Sequence, residues 1–334
     1  MKVLITGGAG YIGSTVASAL EDKGHTPVLL DSLVSGPRVF TRGRIFYEGD
    51  VADKELLTQV FNDHPDVYAT VHCAALIVVP ESVEQPYLYY HENVCKSLEL
   101  FRLLTELGYP RVVFSSSASI YDAVPGFKVT EDAPLNPSSP YARTKYMMEQ
   151  VLSDLAHATR LRGIALRYFN PIGADPEYRS GIYVPEPSHV VGKLVDTALG
   201  KQAEFKITGV DWPTRDGSGI RDYVHVWDLA KAHVAAVTRF DDVLAETNSP
   251  YAVINLGTGD GVTVKELVGA FERVWGEEIA KSEAPPRPGD VAGAYANADR
   301  AKTLLDWRAE LSIDEGIGSA LEWGRRREKI LGYP

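Results

Sequence analysis

Residues 3–14 read VLITGGAGYIGS, with Gly7, Gly10 and Gly13 at every third position. A β-branched run, Lys2–Ile5, leads into the triplet, and a helically spaced stretch, Ser14–Lys23, leads out of it. In that context each glycine has a task. One makes a tight turn, one lets the backbone approach a pyrophosphate, and one lets the helix lie close to the sheet. The helix start then offers N–H groups and the positive end of its dipole to phosphate. Further out, Asp31 closes the next β-branched run, Pro27–Asp31. A carboxylate there accepts ribose hydroxyls and repels a 2′-phosphate, which favours NAD over NADP.

The pattern continues. Short runs at Val67–His72 and Arg111–Ser115 alternate with helical spacing over Asp53–Asn62, Tyr87–Leu107 and Tyr141–Ala158. Strands alternating with helices imply parallel pairing and right-handed crossovers. The expected fold class is α/β, a Rossmann-type doubly wound parallel sheet with a smaller, irregular mixed α/β C-terminal lobe. Residues 1–168 are expected to bind NAD and 169–334 mainly the substrate, with segments of about 220–260 returning to the first domain. The stretch RYFNPIGADPEYRSGIYVPEPSH, residues 167–189, has four prolines and no clear period, and reads as a long loop.

The chain has 17 tyrosines, and only Tyr141 has a lysine four positions on, Lys145. Phenol and ammonium then share a helix face. Bringing a phenol from its usual pKa near 10 to about 7 takes roughly 4 kcal/mol of preference for the phenolate. A neighbouring ammonium and an oxidised nicotinamide are a source of it. Such a phenolate can take a hydroxyl proton while hydride leaves the same carbon. An isolated pair of this kind is as easily a coincidence on a solvated face; the glycine loop in the same chain favours chemistry.

Composition sets limits. A net charge of −11 argues against nonspecific nucleic-acid binding. No apolar run reaches a membrane span and the start lacks a secretory pattern, so a cytoplasmic location is expected. Two cysteines, Cys73 and Cys95, are too few for a disulfide framework. No His, Cys and carboxylate cluster has metal-site spacing, so no metal is expected. His225 and His72 read as structural.

TGGAGYIGS, the Tyr141/Lys145 pair and FSSSASIY (residues 114–121) resemble an extended short-chain dehydrogenase/reductase. SPYARTK, LRYFNPIGA, DGSGIRDYVHV, NLGTG and PRPGDVAGAYANADRAKTLLDW extend the resemblance to the UDP-glucose 4-epimerase family along nearly the whole chain. The resemblance implies NAD as cofactor, a UDP-sugar substrate and a homodimer pairing Tyr87–Leu107 with Tyr141–Ala158. It implies Tyr141 as base, Lys145 as its partner and Ser117 on the sugar's 4-oxygen. For the cofactor it implies Gly7, Gly10, Tyr11, Ile12, Gly13, Asp31, Asp50, Val51, Asn93 and Tyr168. For the nucleotide sugar it implies Asn170, His189, Arg221, Arg287, Asp290 and Ala294. Two arginines and an amide suit a diphosphate.

Related sugar-nucleotide dehydratases carry an acidic pair where this chain has Ala118 and Ser119, followed by Ile120 and Tyr121. Oxidation at C4 and return of the hydride, without elimination, is therefore expected. A non-catalytic NAD-binding role is the other alternative, and both Tyr141 and Lys145 speak against it. Three positions depart from the family pattern: Ile77 for a usual lysine, His189 for an asparagine and Ala294 for a bulky tyrosine. A small residue beside the sugar leaves open UDP-glucose/UDP-galactose, N-acetylhexosamines or hexuronates. Arg179 could supply a cation to a hexuronate, unless it is a surface arginine.

Overall fold

The structure, a computed structural model, describes residues 1–286 and 290–332. Among them, seven strands form one sheet: β1 (Lys2–Thr6), β2 (Thr26–Asp31), β3 (Ile45–Glu48), β4 (Val67–His72), β5 (Arg111–Ser117), β6 (Arg162–Tyr168) and β7 (Tyr251–Leu256). Their order is β7-β6-β5-β4-β1-β2-β3, and every neighbouring pair is parallel. The chain runs outward from β1 to β3, then returns to β4 on the other side of β1. That reversal opens a crevice at the carboxyl ends of β1 and β4, where ligands bind in folds of this kind.

Apolar residues cover both faces, so the strands read as continuous rather than alternating runs. On one face Val16, Ala17 and Leu20 of helix Tyr11–Asp22 pack with Leu229, Ala232 and Val237 of helix Val226–Thr238. On the other lie Leu57 and Val60, Leu100 and Leu104, and Met148 and Leu152, from helices Lys54–Asp63, Lys96–Leu107 and Pro140–Ala158. A separate core unites Leu194, Phe271, Ile317 and Leu321 from helices Val190–Ala198, Val264–Trp275 and Ile313–Leu331. Above it, Ile220–Arg221 pairs antiparallel to Val262–Thr263 and parallel to Gly293–Ala296, which in turn pairs with Lys128–Val129. This is the smaller mixed lobe.

Local structure departs from expectation in three places. The helix expected over Tyr87–Leu107 is Pro86–Tyr89, a π-helical turn Tyr90–Cys95, then Lys96–Leu107. The stretch 167–189 is largely irregular, yet Asn170–Ile172 is a strand on Tyr223–His225. β3, β6 and β7 add three strands to the four that the sequence pattern predicts. No helix among the described residues is long and apolar enough to cross a membrane.

Candidate active site

The crevice is built by strand ends. After β1 the chain turns at Gly7, whose φ is +70°. A Cβ there would come within 2.7 Å of the Ala74 amide nitrogen, because the backbone leaving β4 crosses directly above. A Cβ on Gly13 would lie 2.2 Å from the Gly7 carbonyl oxygen. Both positions therefore demand glycine. Gly10 caps helix Tyr11–Asp22 without a side chain, and no acidic residue occupies the first turn. The helix end keeps its positive character and offers its free N–H groups to a pyrophosphate, while the glycines let the turn, the helix and the backbone leaving β4 approach one another closely. Ile12 packs under the loop against the sheet core. The Tyr11 hydroxyl donates to the Gly173 carbonyl at 2.6 Å, tying the loop to the second lobe, and burial pushes that phenol up.

Asp31, at the end of β2, is buried and accepts from Ala9 N at 2.9 Å and Leu33 N at 2.8 Å. Burial raises its pKa and the two amides pull it back. Each oxygen keeps a lone pair for a ribose hydroxyl. Beyond β3, Asp50 accepts from Ala52 N at 2.9 Å and pairs with Lys96 at 2.5 Å, while Val51 packs against the core. Burial pushes the Asp50 pKa up, but Lys96 and the amide leave it net lowered.

Asn93 sits in the π-turn, a local irregularity often found at functional sites. Its side chain holds Leu76 by both backbone groups, at 2.8 and 2.9 Å, and donates to Thr144 at 3.1 Å. It thereby joins the loop after β4 to the helix carrying Tyr141. Ile77, the next loop residue, is half exposed.

Ser139 caps that helix, accepting from Ala142 N at 3.1 Å, and Pro140 opens it. Both are favoured at these positions. Tyr141 thus lies in the first turn, where the helix dipole favours negative charge. It is buried, which leaves its pKa raised even though a hydrogen bond with Ser117, at the end of β5, pulls the other way. The Lys145 ammonium donates to the Ser115 carbonyl at 2.9 Å and lies 5.1 Å from the Phe114 ring centre. Burial brings its pKa to about 8 against the opposing pull of Cys73 and Glu149. Tyr168 ends β6 directly opposite Ser117 in register. Burial, then the neighbouring Tyr141, pushes its phenol up. Ser117, Tyr141, Lys145 and Tyr168 therefore gather at adjacent strand ends, on the same edge as Gly7 and Asp31.

In the smaller lobe, Asn170 N donates to the Asp222 carbonyl at 2.9 Å. Arg221 pairs with Ala294 across parallel strands. Its guanidinium donates to the Ile220 and Ala292 carbonyls at 2.8 Å and to Val291 at 3.1 Å. Asn170, Arg221 and Ala294 are thus neighbours, with Asp290 just before the carbonyls Arg221 grips. Ala294 packs beside Ala118, Tyr121 and Phe169. His189 is the N-cap residue of helix Val190–Ala198 but makes no side-chain cap bond, and burial lowers its imidazole's pKa. Arg287 lies outside the described residues.

Arg179 is held by both Asp22, at 2.7 and 3.0 Å, and Asp175, at 2.9 and 3.0 Å. Asp22 ends the glycine-loop helix, about 18 Å from its start at the usual rise per residue. Arg179 therefore lies away from the glycine turn and is no free cation for a hexuronate. The two histidines are structural. His225 Nδ1 caps helix Val226–Thr238, and His72 bonds Thr6 and Ser97 at 2.7 and 2.8 Å. No group of three or more potential metal ligands occurs among the described residues.

No motif marks one part of the site. Directly behind Ser117 and Lys145, Glu149 and Arg167 form a buried ion pair at 2.7 Å. The one available signal was position: Glu149 falls one turn beyond Lys145, on the face that carries Tyr141.

A parallel sheet in this order, a glycine turn at its reversal and a Tyr–Lys helix at its edge define the extended short-chain dehydrogenase/reductase class. Residues 3–257 match the family described as NAD dependent epimerase/dehydratase. A UDP-glucose 4-epimerase of Azospirillum brasilense is 41% identical over 99% of this chain and 94% of its own. One from Bacillus subtilis is 39% identical over 100% and 99%. The solved UDP-glucose 4-epimerase of Bifidobacterium longum, in complex with NAD+ and UDP, superposes with a TM-score of 0.90 at 34% identity, covering 98% of both chains. The chain belongs to the NAD-dependent epimerase/dehydratase family and, within it, to the UDP-glucose 4-epimerases.

Proposed function

We propose that this chain is an NAD-dependent UDP-hexose 4-epimerase that interconverts UDP-glucose and UDP-galactose through a 4-keto sugar. The observation that carries the reading is the meeting of Ser117, Tyr141 and Lys145 at the strand-end crevice, beside Ala118 and Ser119. The first three residues suit proton transfer at a carbinol. The last two offer no carboxylate for removing a C5 proton and expelling the 6-hydroxyl, so elimination is disfavoured.

The glycine turn, the unopposed helix end and Asp31 are the groups that would hold a dinucleotide, the first two its pyrophosphate and the last its ribose. NAD, held there, would supply the hydride acceptor and donor for C4, and its positive ring would add to the charge that favours a phenolate. Tyr141 accepts the 4-hydroxyl proton as the C–H and O–H bonds break and C=O forms. Ser117 holds the 4-oxygen. Lys145, pinned on the Ser115 carbonyl one helical turn on from Tyr141, supplies the cation. On reversal Tyr141 returns the proton while hydride arrives on the sugar's other face. Hydride and proton balance over each turn, so no external oxidant is consumed. Asn170, Arg221, Arg287, Asp290 and His189 hold the UDP moiety in this reading, which lets the sugar itself turn. Functionally, residues 1–168 serve the cofactor and 169–334 mainly the sugar nucleotide, with segments of about 220–260 returning to the large sheet.

Incubation with UDP-galactose and no added NAD tests the reading. UDP-glucose should appear. A 4-keto-6-deoxy product would indicate a dehydratase, and absence of turnover a non-catalytic NAD-binding protein.

A second reading, a pocket wide enough for N-acetylhexosamines, rests on Ala294 beside Arg221. A hexuronate has less support, since Arg179 is spent on two carboxylates. Assembly as a homodimer is supported by large apolar side chains left exposed on the two helices expected to pair, Leu98 and Met147, and by Tyr87 just before the first. A cytoplasmic location fits two unpaired cysteines.

A further inference from the structure

The Glu149 carboxylate accepts from Arg167 Nε at 3.0 and 3.2 Å and from Nη2 at 2.7 Å, with both side chains about 5% exposed or less. It also accepts from the Ser116 hydroxyl. The remaining Arg167 nitrogen donates to Tyr121 Oη at 3.0 Å and to the Glu131 carbonyl at 2.9 Å. Tyr121 in turn donates to Asn255 at 2.6 Å. The network has a specific address. Ser116 stands between Ser115, whose carbonyl takes Lys145, and Ser117. Arg167 precedes Tyr168. Glu149 follows Lys145 by one helical turn. One carboxylate therefore cross-links the three segments that carry Ser117, the Tyr141–Lys145 pair and Tyr168.

Stability alone does not account for it. Buried ion pairs carry a large desolvation cost, and well-packed apolar replacements are often neutral or stabilising. We propose that the Glu149–Arg167 pair is a positioning element: it fixes the Tyr141 helix against the end of β5 and supplies the negative charge behind Lys145. The inference rests on the reading of Tyr141 and Lys145 as the proton-transfer pair.

The charge environment of Lys145 gives the sign of its effect. From its own helix Lys145 faces Tyr141 and Glu149. From the end of β4 it faces Cys73 and the neutral His72, from β5 the Ser115 carbonyl, and from β6 Arg167 and Tyr168 lie behind it. Removing the Glu149 charge lowers the proton affinity of Lys145, and the uncompensated Arg167 acts in the same direction. The pH profile of kcat should move to lower pH, with the basic limb moving as the ammonium is lost earlier.

Two variants separate position from charge. Glu149→Gln keeps size and an acceptor for Ser116 but loses the charge. Ser116→Ala keeps the ion pair and loses the strand contact. For UDP-galactose turnover by the NAD-loaded enzyme, both should lower kcat by roughly 10- to 100-fold, the scale of a small misplacement of reacting groups. KM should stay within about threefold, because the UDP contacts lie elsewhere. Only Glu149→Gln should shift the basic limb, by at least about half a unit. A folded Glu149→Gln enzyme with unchanged kcat and pH profile would overturn the proposal. If Glu149→Gln fails to fold, Ser116→Ala decides, and wild-type kcat in that variant would overturn it. Tyr141→Phe run alongside separates the two claims. Retained activity there defeats the proton-transfer reading, whereas its loss beside an unaffected Glu149→Gln defeats only the positioning role.

Discussion

Tyr141 is a weak base whose surroundings pull its proton affinity in both directions. Burial works against ionisation and leaves the phenol raised, while Ser117 and the first helical turn pull the other way. Tyr141→Phe should cut turnover of UDP-galactose by at least ~100-fold, the low end for a positioned acid–base group. UDP affinity, measured by calorimetry, should be nearly intact; activity within a few-fold of wild type would remove Tyr141 as base. Ala294 is the residue that most clearly tunes the sugar. Ala294→Tyr should lower kcat/KM for UDP-N-acetylglucosamine at least roughly tenfold while sparing UDP-glucose. Equal effects on both sugars would dismiss the wide pocket. The glycines and the Tyr–Lys pair were legible because their constraints are local: a turn and one helical face. Glu149, Arg167 and Asn255 were not. A charged or amide residue in isolation reads as solvated, and only tertiary structure brings these partners together from distant segments.

Elements were legible where the chain punctuates itself. Ser139 and Pro140 announce a helix start, and the glycine loop announces the first strand–helix unit. β3, with half-buried Ile45, Phe46 and Tyr47, lacks any buried run to mark it. The two-residue strands of the smaller lobe exist only through partners far along the chain, as Ile220–Arg221 does through Gly293–Ala296. The π-turn at Tyr90–Cys95 also escaped, since its one-residue register change leaves the apolar pattern helical. Its consequence is concrete: it places Asn93 on both backbone groups of Leu76. Asn93→Ala should cost about 1–3 kcal/mol, the range for buried groups left unsatisfied. Urea unfolding should report the loss, and NAD affinity should fall as the loop after β4 loosens. An unchanged urea midpoint would show that the loop is held by other contacts.

At the scale of the whole molecule, acid is the weak flank. His72, His225 and His233 are buried, and burial lowers their pKa values to about 3, 4 and 4. The unfolded chain binds these protons near pH 6.5 and the folded one does not, so stability is lost as pH falls from about 6.5 toward 4. Each histidine contributes a slope of about 1.4 kcal/mol per unit in that window. Urea midpoints at pH 7 and pH 5 should differ clearly; coincident midpoints would mean that these imidazoles titrate freely. Light scattering at micromolar concentration should give the mass of two chains, and a one-chain mass would leave Tyr87, Leu98 and Met147 without the proposed partner. The order of the sheet also bears on how the molecule is made. Helix Val226–Thr238 shields Val16 and Leu20, and β7 closes the edge beside β6. A ribosome that has completed β6 has therefore built the cofactor edge but not its cover. At ordinary synthesis rates the gap lasts on the order of ten seconds. Through that interval the nascent chain carries an open strand edge and a wet apolar face, the combination that chaperones capture. Severing the gene after residue 168 would make that transient state permanent.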